Sequence, residues 1–85
     1  MKNLNPLFVD LGKLIRDKRV AANLSQDELA WRCSLHLNAI WKIEKAKSEI
    51  KLSTLIKIFR ELKLSFVVIE HLLEKHTTHE LSLEM

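Results

Sequence analysis

Histidine, cysteine and carboxylate side chains are the residues of this chain that could support catalysis or bind a metal. The 85 residues include four histidines and one cysteine. His71, His76 and His79 stand close together in sequence, but their spacing matches no familiar metal site and Cys33 is far from them. No serine–histidine–aspartate set, glycine-rich phosphate loop or catalytic carboxylate pair can be placed either. The sequence therefore predicts a protein that is not an enzyme and that binds no metal or other cofactor.

The stretch from Ser25 to Glu44 has the pattern of two short helices separated by a tight turn. Ser25 and Glu28 have the spacing of a capping box, which predicts that a helix begins there. After a break, a second helix is predicted to run to Glu44 with Ile40 and Ile43 on its inward side. A helix-turn-helix of this kind usually holds its second helix out so that the major groove of DNA can receive it.

The charge of the chain is unevenly divided. Residues 1–63 contain 13 lysines and arginines against seven acidic residues, whereas residues 64–85 contain one lysine against four glutamates. This division favours an anionic partner for the basic part, although an ordinary solvated surface would give the same count. No apolar run is long enough for a membrane span and no signal-peptide pattern is present, so we expect a cytoplasmic protein without membrane contact.

Further helices are predicted on either side of the motif. Asn5 and Pro6 have the residue types of an N-cap and a first helical position, so a helix is expected from there to about Ala22. Gly12 lies inside this helix at a cost of about 1 kcal/mol, or it marks the true helix start. Another amphipathic helix is predicted from Leu52 to Leu62.

The segment 65–70 differs in composition from the helical segments before it. Its centre is an apolar and largely β-branched run made of Phe66, Val67, Val68 and Ile69. Such a run favours a strand, and the simplest partner for it is the same strand of a second copy of the chain. The alternative is that Leu64 to Lys75 forms one more helix.

Polar composition sets the boundaries at the two ends of the chain. Residues 1–6 and 71–85 are predicted to be flexible, because neither stretch can bury enough apolar surface by itself. Residues 7–64 then form the helix-turn-helix domain, and residues 65–70 form the dimerisation strand.

The ordered set of residues from Leu11 to about Leu64 resembles the Xre/Cro-type helix-turn-helix repressors. The matching positions are Leu11, Gly12, Ile15, Arg16, Arg19, the run Leu24 to Ala30, Ile40, Ile43, Glu44, the run Leu52 to Leu55, Ile58 and Leu62. The resemblance implies a mainly α, five-helix, lambda-repressor-like domain that binds a palindromic operator in double-stranded DNA as a homodimer.

The region after residue 52 is similar to HipB-type antitoxins. The similarity is carried by the run Ser53 to Ser65, which continues into the predicted strand, and by the ending Leu83-Glu84-Met85. It implies an antitoxin that represses its own operon and binds a HipA-type kinase toxin. Two alternatives stay open: a stand-alone repressor without a toxin partner, and a protein-interaction module that has lost DNA binding.

By position, the resemblance assigns DNA contacts to residues of the motif and of the connection that follows it. These are Gln26, His36, Leu37, Asn38, Lys42, Lys45 and Lys47. Gln26 would contact a phosphate, Asn38 can bond adenine, and Lys42 can reach a phosphate or a guanine. Arg19 and Glu44 occupy the positions of a family ion pair that ties the first helix to the recognition helix.

Several residues depart from the family pattern. Ser34 and Ala46 stand where the family has glycine, so any left-handed backbone there must be carried by a residue with a Cβ atom. Leu37 and Trp41 are apolar at positions that are normally polar. Leu37 could contact a thymine methyl group, or Leu37 and Trp41 could together meet a protein instead.

Overall fold

The computed structural model describes residues 5–76 and contains five α-helices in that range. They are α1 (Pro6–Ala21), α2 (Gln26–Arg32), α3 (Leu37–Glu44), α4 (Leu52–Leu62) and α5 (Val67–His76). No strand occurs among residues 5–76, and none of these five helices is long and apolar enough to cross a membrane. The prediction of a mainly helical, five-helix domain is confirmed.

Helix α1 begins where the sequence predicts. The side chain of Asn5 accepts a hydrogen bond from the Leu7 amide at 2.7 Å, and Pro6 is the first helical residue. The helix continues through Gly12, so the alternative start at Gly12 is wrong. Gly12 has a packing role, since a Cβ atom there would lie 3.0 Å from the Glu44 carbonyl oxygen and would overlap the carbonyl oxygen of Ile43. The missing side chain lets α1 approach the end of α3 closely.

The core is formed by apolar side chains of the first four helices and of the turn after α2. They are Leu11, Ile15, Leu29, Ala30, Cys33, Ile40, Ile43, Ile58 and Phe59. Cys33 is buried, as the sequence suggests for a lone cysteine, and this burial raises the pKa of its thiol. Helices α2 and α3 pack against each other, and α1 packs across both α3 and α4.

Helices α1 to α4 all end in the same way. Each is followed by a non-glycine residue with a left-handed backbone, with φ between 55° and 62°: Asn23, Ser34, Ala46 and Lys63. After α3, for example, the Lys47 amide donates to the Lys42 carbonyl oxygen at 2.8 Å. This is the Schellman arrangement, which usually places glycine at the left-handed position. Ser34 and Ala46 therefore carry the conformation that glycine has in the family.

The strand predicted at residues 65–70, with its pairing across a homodimer, is wrong. Residues Val67–His76 form α5, and the hydroxyl of Ser65 accepts a hydrogen bond from the Val67 amide at 3.1 Å. The four residues assigned to strand pairing, of which Phe66 precedes the helix, also differ in burial. Val68 and Ile69 are half-buried against the core of their own chain, whereas Phe66 and Val67 are exposed.

Packing overrides local preference in this segment. A β-branched run favours a strand only weakly, and the core of the same chain offers an apolar surface that a helix can cover. The helical alternative is therefore the correct one. Residues 71–76, predicted as the start of a flexible tail, are the last part of α5, while residues 1–4 and 77–85 lie outside the described residues.

Polar contacts hold the end of α5 against α1. The Lys75 ammonium donates to Asp10 Oδ2 at 2.9 Å, and His76 Nε2 lies 2.9 Å from the same oxygen. The hydrogen bond from Lys75, followed by the contact with His76, holds the pKa of the Asp10 carboxyl below its usual value. These contacts join residues that are more than sixty positions apart in the sequence.

We predict that Ala46→Gly stabilises the protein by about 0.5–1 kcal/mol. Glycine relieves the left-handed strain at this position, although it also adds conformational freedom to the unfolded chain. The melting temperature should rise by roughly 2–8 °C for a domain of this size. Ala39→Gly is the matched control, because Ala39 lies inside α3 and the same substitution there should cost about 1 kcal/mol. A melting temperature that falls in both variants would contradict the prediction.

Candidate nucleic-acid interface

A capping box fixes the start of α2. The Glu28 amide donates to the Ser25 hydroxyl at 3.0 Å, and the Ser25 amide donates to Glu28 Oε1 at 2.8 Å. The bond from the Ser25 amide is the main reason that the pKa of the Glu28 carboxyl is lowered. The box predicted from the sequence is therefore present, and it places Gln26 as the first residue of the helix.

The carboxylate of Glu44 joins three helices at the end of α3. It accepts hydrogen bonds from Arg19 Nε at 2.7 Å, from Arg19 Nη2 at 3.1 Å and from Gln26 Nε2 at 2.9 Å. The Glu44 side chain is 1% exposed and that of Arg19 is 12% exposed. Arg19 Nη1 donates in addition to the Leu24 carbonyl oxygen at 2.8 Å. The ion pair expected at positions 19 and 44 is thus present, buried and bidentate.

This network sets the orientation of α3. A buried carboxylate with three donors is stable only when all of its partners keep their positions, because a displaced partner would leave a charge without compensation. Ile40 and Ile43 anchor the same side of α3 in the core. The opposite side of α3 consequently faces solvent.

The solvent-facing side of α3 carries the residues to which the resemblance assigns base contacts. Asn38 and Lys42 are exposed and lie one helical turn apart, and His36 is exposed at the N-cap without a side-chain capping bond. Lys45 and Lys47 are exposed just after the helix. These polar and basic groups therefore lie together on one exposed surface that takes no part in the core.

A concavity of about 410 Å³ lies beside this surface. Its walls are one side of α3, the connection between α3 and α4 and the start of α4, and it is lined by His36, Asn38, Ala39, Lys42, Ile43, Ser48, Glu49, Ile50, Lys51 and Thr54. Only His36, Asn38 and Lys42 are among the predicted site residues; the others are Ala39, Ile43, Ser48, Glu49, Ile50, Lys51 and Thr54. The polar character of the connection is the one signal in the sequence for Ser48, Glu49 and Lys51, and their position beside α3 depends on the path of the loop.

Gln26 is on α2 and does not belong to the exposed surface of α3. Its side-chain amide is used by Glu44, and the residue is half-buried. A primary amide has a second hydrogen to donate, so this bond does not prevent a contact with phosphate. The phosphate contact assigned to Gln26 stays a prediction.

Two large apolar side chains of α3 are exposed beside the polar ones. Leu37 is 47% exposed and Trp41 is 40% exposed. The other tryptophan, Trp31 on α2, is 82% exposed and borders a shallow depression with Asp27, Glu28 and Arg32. Neither tryptophan belongs to the core.

The described residues contain no group of histidine, cysteine, aspartate or glutamate side chains that could hold a metal ion. Among the three histidines that stand close together in the sequence, His76 lies against Asp10 and His79 is outside the described range.

Comparisons with known proteins agree with this geometry. The model of the helix-turn-helix family HTH_3 matches residues 15–69, which is more than half of the chain. The wild-type restriction-modification controller protein C.Esp1396I is similar in structure, with a TM-score of 0.72 and 25% identity over 89% of this chain and 100% of that chain. A mutant of the same controller protein gives a TM-score of 0.70 and 27% identity over 87% and 97%. No curated protein sequence matches this one.

We predict that Glu44→Gln lowers the free energy of unfolding by about 3–5 kcal/mol. The substitution keeps the volume but removes the charge that compensates Arg19 in a buried setting. Urea denaturation measures the loss, with an unchanged m-value as the sign that two-state unfolding is kept.

Glu61→Gln is the matched control for this prediction. Glu61 pairs with Arg32 at 3.2 Å, but the two side chains are 30% and 51% exposed. Loss of this exposed ion pair should lower the free energy of unfolding by less than about 1 kcal/mol. Equal losses for the two variants would show that the Glu44 network does not anchor α3.

Proposed function

This chain belongs to the helix-turn-helix family HTH_3 and is a DNA-binding regulator of that type, and we propose that it acts as a stand-alone transcriptional repressor that binds a palindromic operator as a homodimer. The observation that carries the proposal is the exposed face of α3. Asn38 and Lys42 project from a helix whose other side is fixed by buried contacts, and Lys45 and Lys47 follow it.

Base readout would depend on the polar side chains of α3. The amide of Asn38 can donate to N7 and accept from N6 of adenine, which are exposed in the major groove. Lys42 lies one turn further along the same face and can reach a guanine or a phosphate. His36, at the exposed N-terminal end of α3, would contact the backbone or a base edge at the rim of the groove.

Affinity would come largely from the basic residues around α3. Lys45 and Lys47 lie at its end, and Lys51 lies across the concavity at the start of α4. Lysines in this position neutralise phosphates and release counterions, which gives sequence-independent affinity. Glu49 lines the same concavity and reduces the local positive charge.

Dimerisation is proposed through the exposed side of the α5 region. Phe66, Val67 and Leu73 are 43%, 51% and 37% exposed there. Phe66 also packs edge-on against Phe59, with ring centroids 5.0 Å apart, so its position is fixed by the core.

The small size of α3 is a reason to expect a dimer. A recognition helix of eight residues reads few base pairs, and a second copy on a palindrome doubles the contacts.

A HipA-type kinase partner is the less well supported alternative. The similarity to HipB-type antitoxins rested partly on a dimerisation strand, and residues 65–70 do not form one. The structural likeness to a restriction-modification controller protein, which extends over the whole of that chain, favours a regulator of the controller kind. The toxin partner and autoregulation of a toxin operon stay predictions.

We predict that Lys42→Ala weakens binding to an operator and reduces its salt dependence. If Lys42 contacts a phosphate, the slope of log K against log salt should fall in magnitude by roughly 0.9. Asn38→Ala should relax the preference at one base pair by about 1–3 kcal/mol. Lys13→Ala is the control, because Lys13 is on α1 with 74% of its side chain exposed. If Lys42→Ala and Asn38→Ala both bind like the wild type in titrations, the assignment of α3 to the groove is wrong.

We predict that Val67→Glu converts a dimer into a monomer, because a charge would be buried at the proposed interface. Sedimentation equilibrium measures the mass. Val20→Glu introduces the same charge at a residue of equal exposure, 50%, on α1 and should leave the mass unchanged. A monomeric wild type, or a dimer that survives Val67→Glu, would exclude this interface.

A further inference from the structure

We propose that Leu37 and Trp41 read the 5-methyl groups of thymines in the operator, so that each half-site is recognised partly by apolar contact. This inference rests on the proposed function and adds a chemical class of base feature to it. Sequence alone leaves Leu37 and Trp41 open to contact with either DNA or protein, and three features of α3 favour DNA.

The first observation is that the core does not need these two side chains. Ile40 and Ile43 fill the inward side of α3 and are 0% and 4% exposed. Leu37 and Trp41, in contrast, keep 47% and 40% of their surface in solvent. Large apolar side chains that stay exposed next to each other are typical of a binding surface.

The second observation is the register of α3. Residues four positions apart share one side of a helix, so Leu37 and Trp41 form one column and Asn38 and Lys42 form the next column. The two columns are separated by one residue step, which is about 100° around the helix axis. The apolar column therefore lies directly beside the column that is proposed to meet the base edges.

The chemistry of the major groove favours thymine as the partner. Thymine is the one standard base that presents a methyl group there, and it does so beside the O4 acceptor. A polar column next to an apolar column suits such mixed base edges. The apolar column is continuous with the polar and basic surface of α3 that is proposed to bind DNA, which favours DNA over a second protein as its partner.

The expected size of the effect follows from burial of a methyl group. Moving one methyl group out of water is worth roughly 0.8 kcal/mol, which corresponds to about a fourfold change in affinity. Deoxyuridine in place of thymidine removes this group and keeps every hydrogen-bonding atom of the base. It therefore isolates the apolar contact from the polar readout.

The test begins with the selection of an operator from random duplexes by the full chain. The Kd is then measured for this duplex and for the same duplex with deoxyuridine at its thymine positions, one position at a time. The wild type should bind about fourfold more weakly at each contacted position. Leu37→Ala should bind the thymidine and deoxyuridine duplexes equally at the position that Leu37 contacts.

Matched variants separate this effect from general loss of binding. Leu52→Ala makes the same substitution at a leucine that is 65% exposed on α4, and it should keep the thymidine preference of the wild type. Asn38→Ala should bind more weakly and also keep that preference. In Trp31→Phe, Trp41 is the only tryptophan left, and its fluorescence should change more with the thymidine duplex than with the deoxyuridine duplex.

The outcomes are distinguishable. Equal binding of the wild type to both duplexes overturns the inference and leaves the proposed function intact. A thymidine preference that survives in Leu37→Ala, with no difference in Trp41 fluorescence, overturns it as well, because other side chains must then contact the methyl groups. If the wild type selects no duplex at all, the proposed function fails and the inference fails with it.

Discussion

The buried carboxylate of Glu44 is the constraint on which the rest of the structure depends. It receives two hydrogen bonds from Arg19 and one from Gln26, so α1, α2 and α3 meet at a single charged group. Because an uncompensated charge in this setting is costly, the three helices have one arrangement that satisfies all the donors. The orientation of the exposed face of α3 is a consequence of this arrangement, and so are the contacts that face can make with DNA.

Close backbone approach and tight helix ends make the arrangement possible in a small chain. Gly12 lets α1 reach the carbonyl groups at the end of α3, where any side chain would clash. Ser34 and Ala46 adopt left-handed backbone at the ends of α2 and α3, and each lets the chain turn tightly out of its helix. The strain at these two positions is balanced by burial of the core that the turns bring together.

Much of the fold follows from local sequence, and the exceptions have physical reasons. Capping residues such as Asn5 and Ser25 mark helix starts because their side chains bond the first free amides. Residues 65–70 form no strand, although their β-branched side chains favour one locally, because Val68 and Ile69 pack as part of a helix against the core of their own chain. Helical spacing also places the outward face of α3, but the concavity beside it depends on a loop path that no local pattern encodes.

The central claim is that the outward face of α3 is the surface that binds DNA, and nuclear magnetic resonance with a selected operator duplex tests it most directly. The account predicts that the side-chain amide of Asn38 and the indole of Trp41 shift on addition of the duplex. The indole of Trp31, which is more exposed than that of Trp41 but lies on α2, should stay unchanged. Shifts centred on Trp31 or on α1, with Asn38 and Trp41 unaffected, would contradict the account.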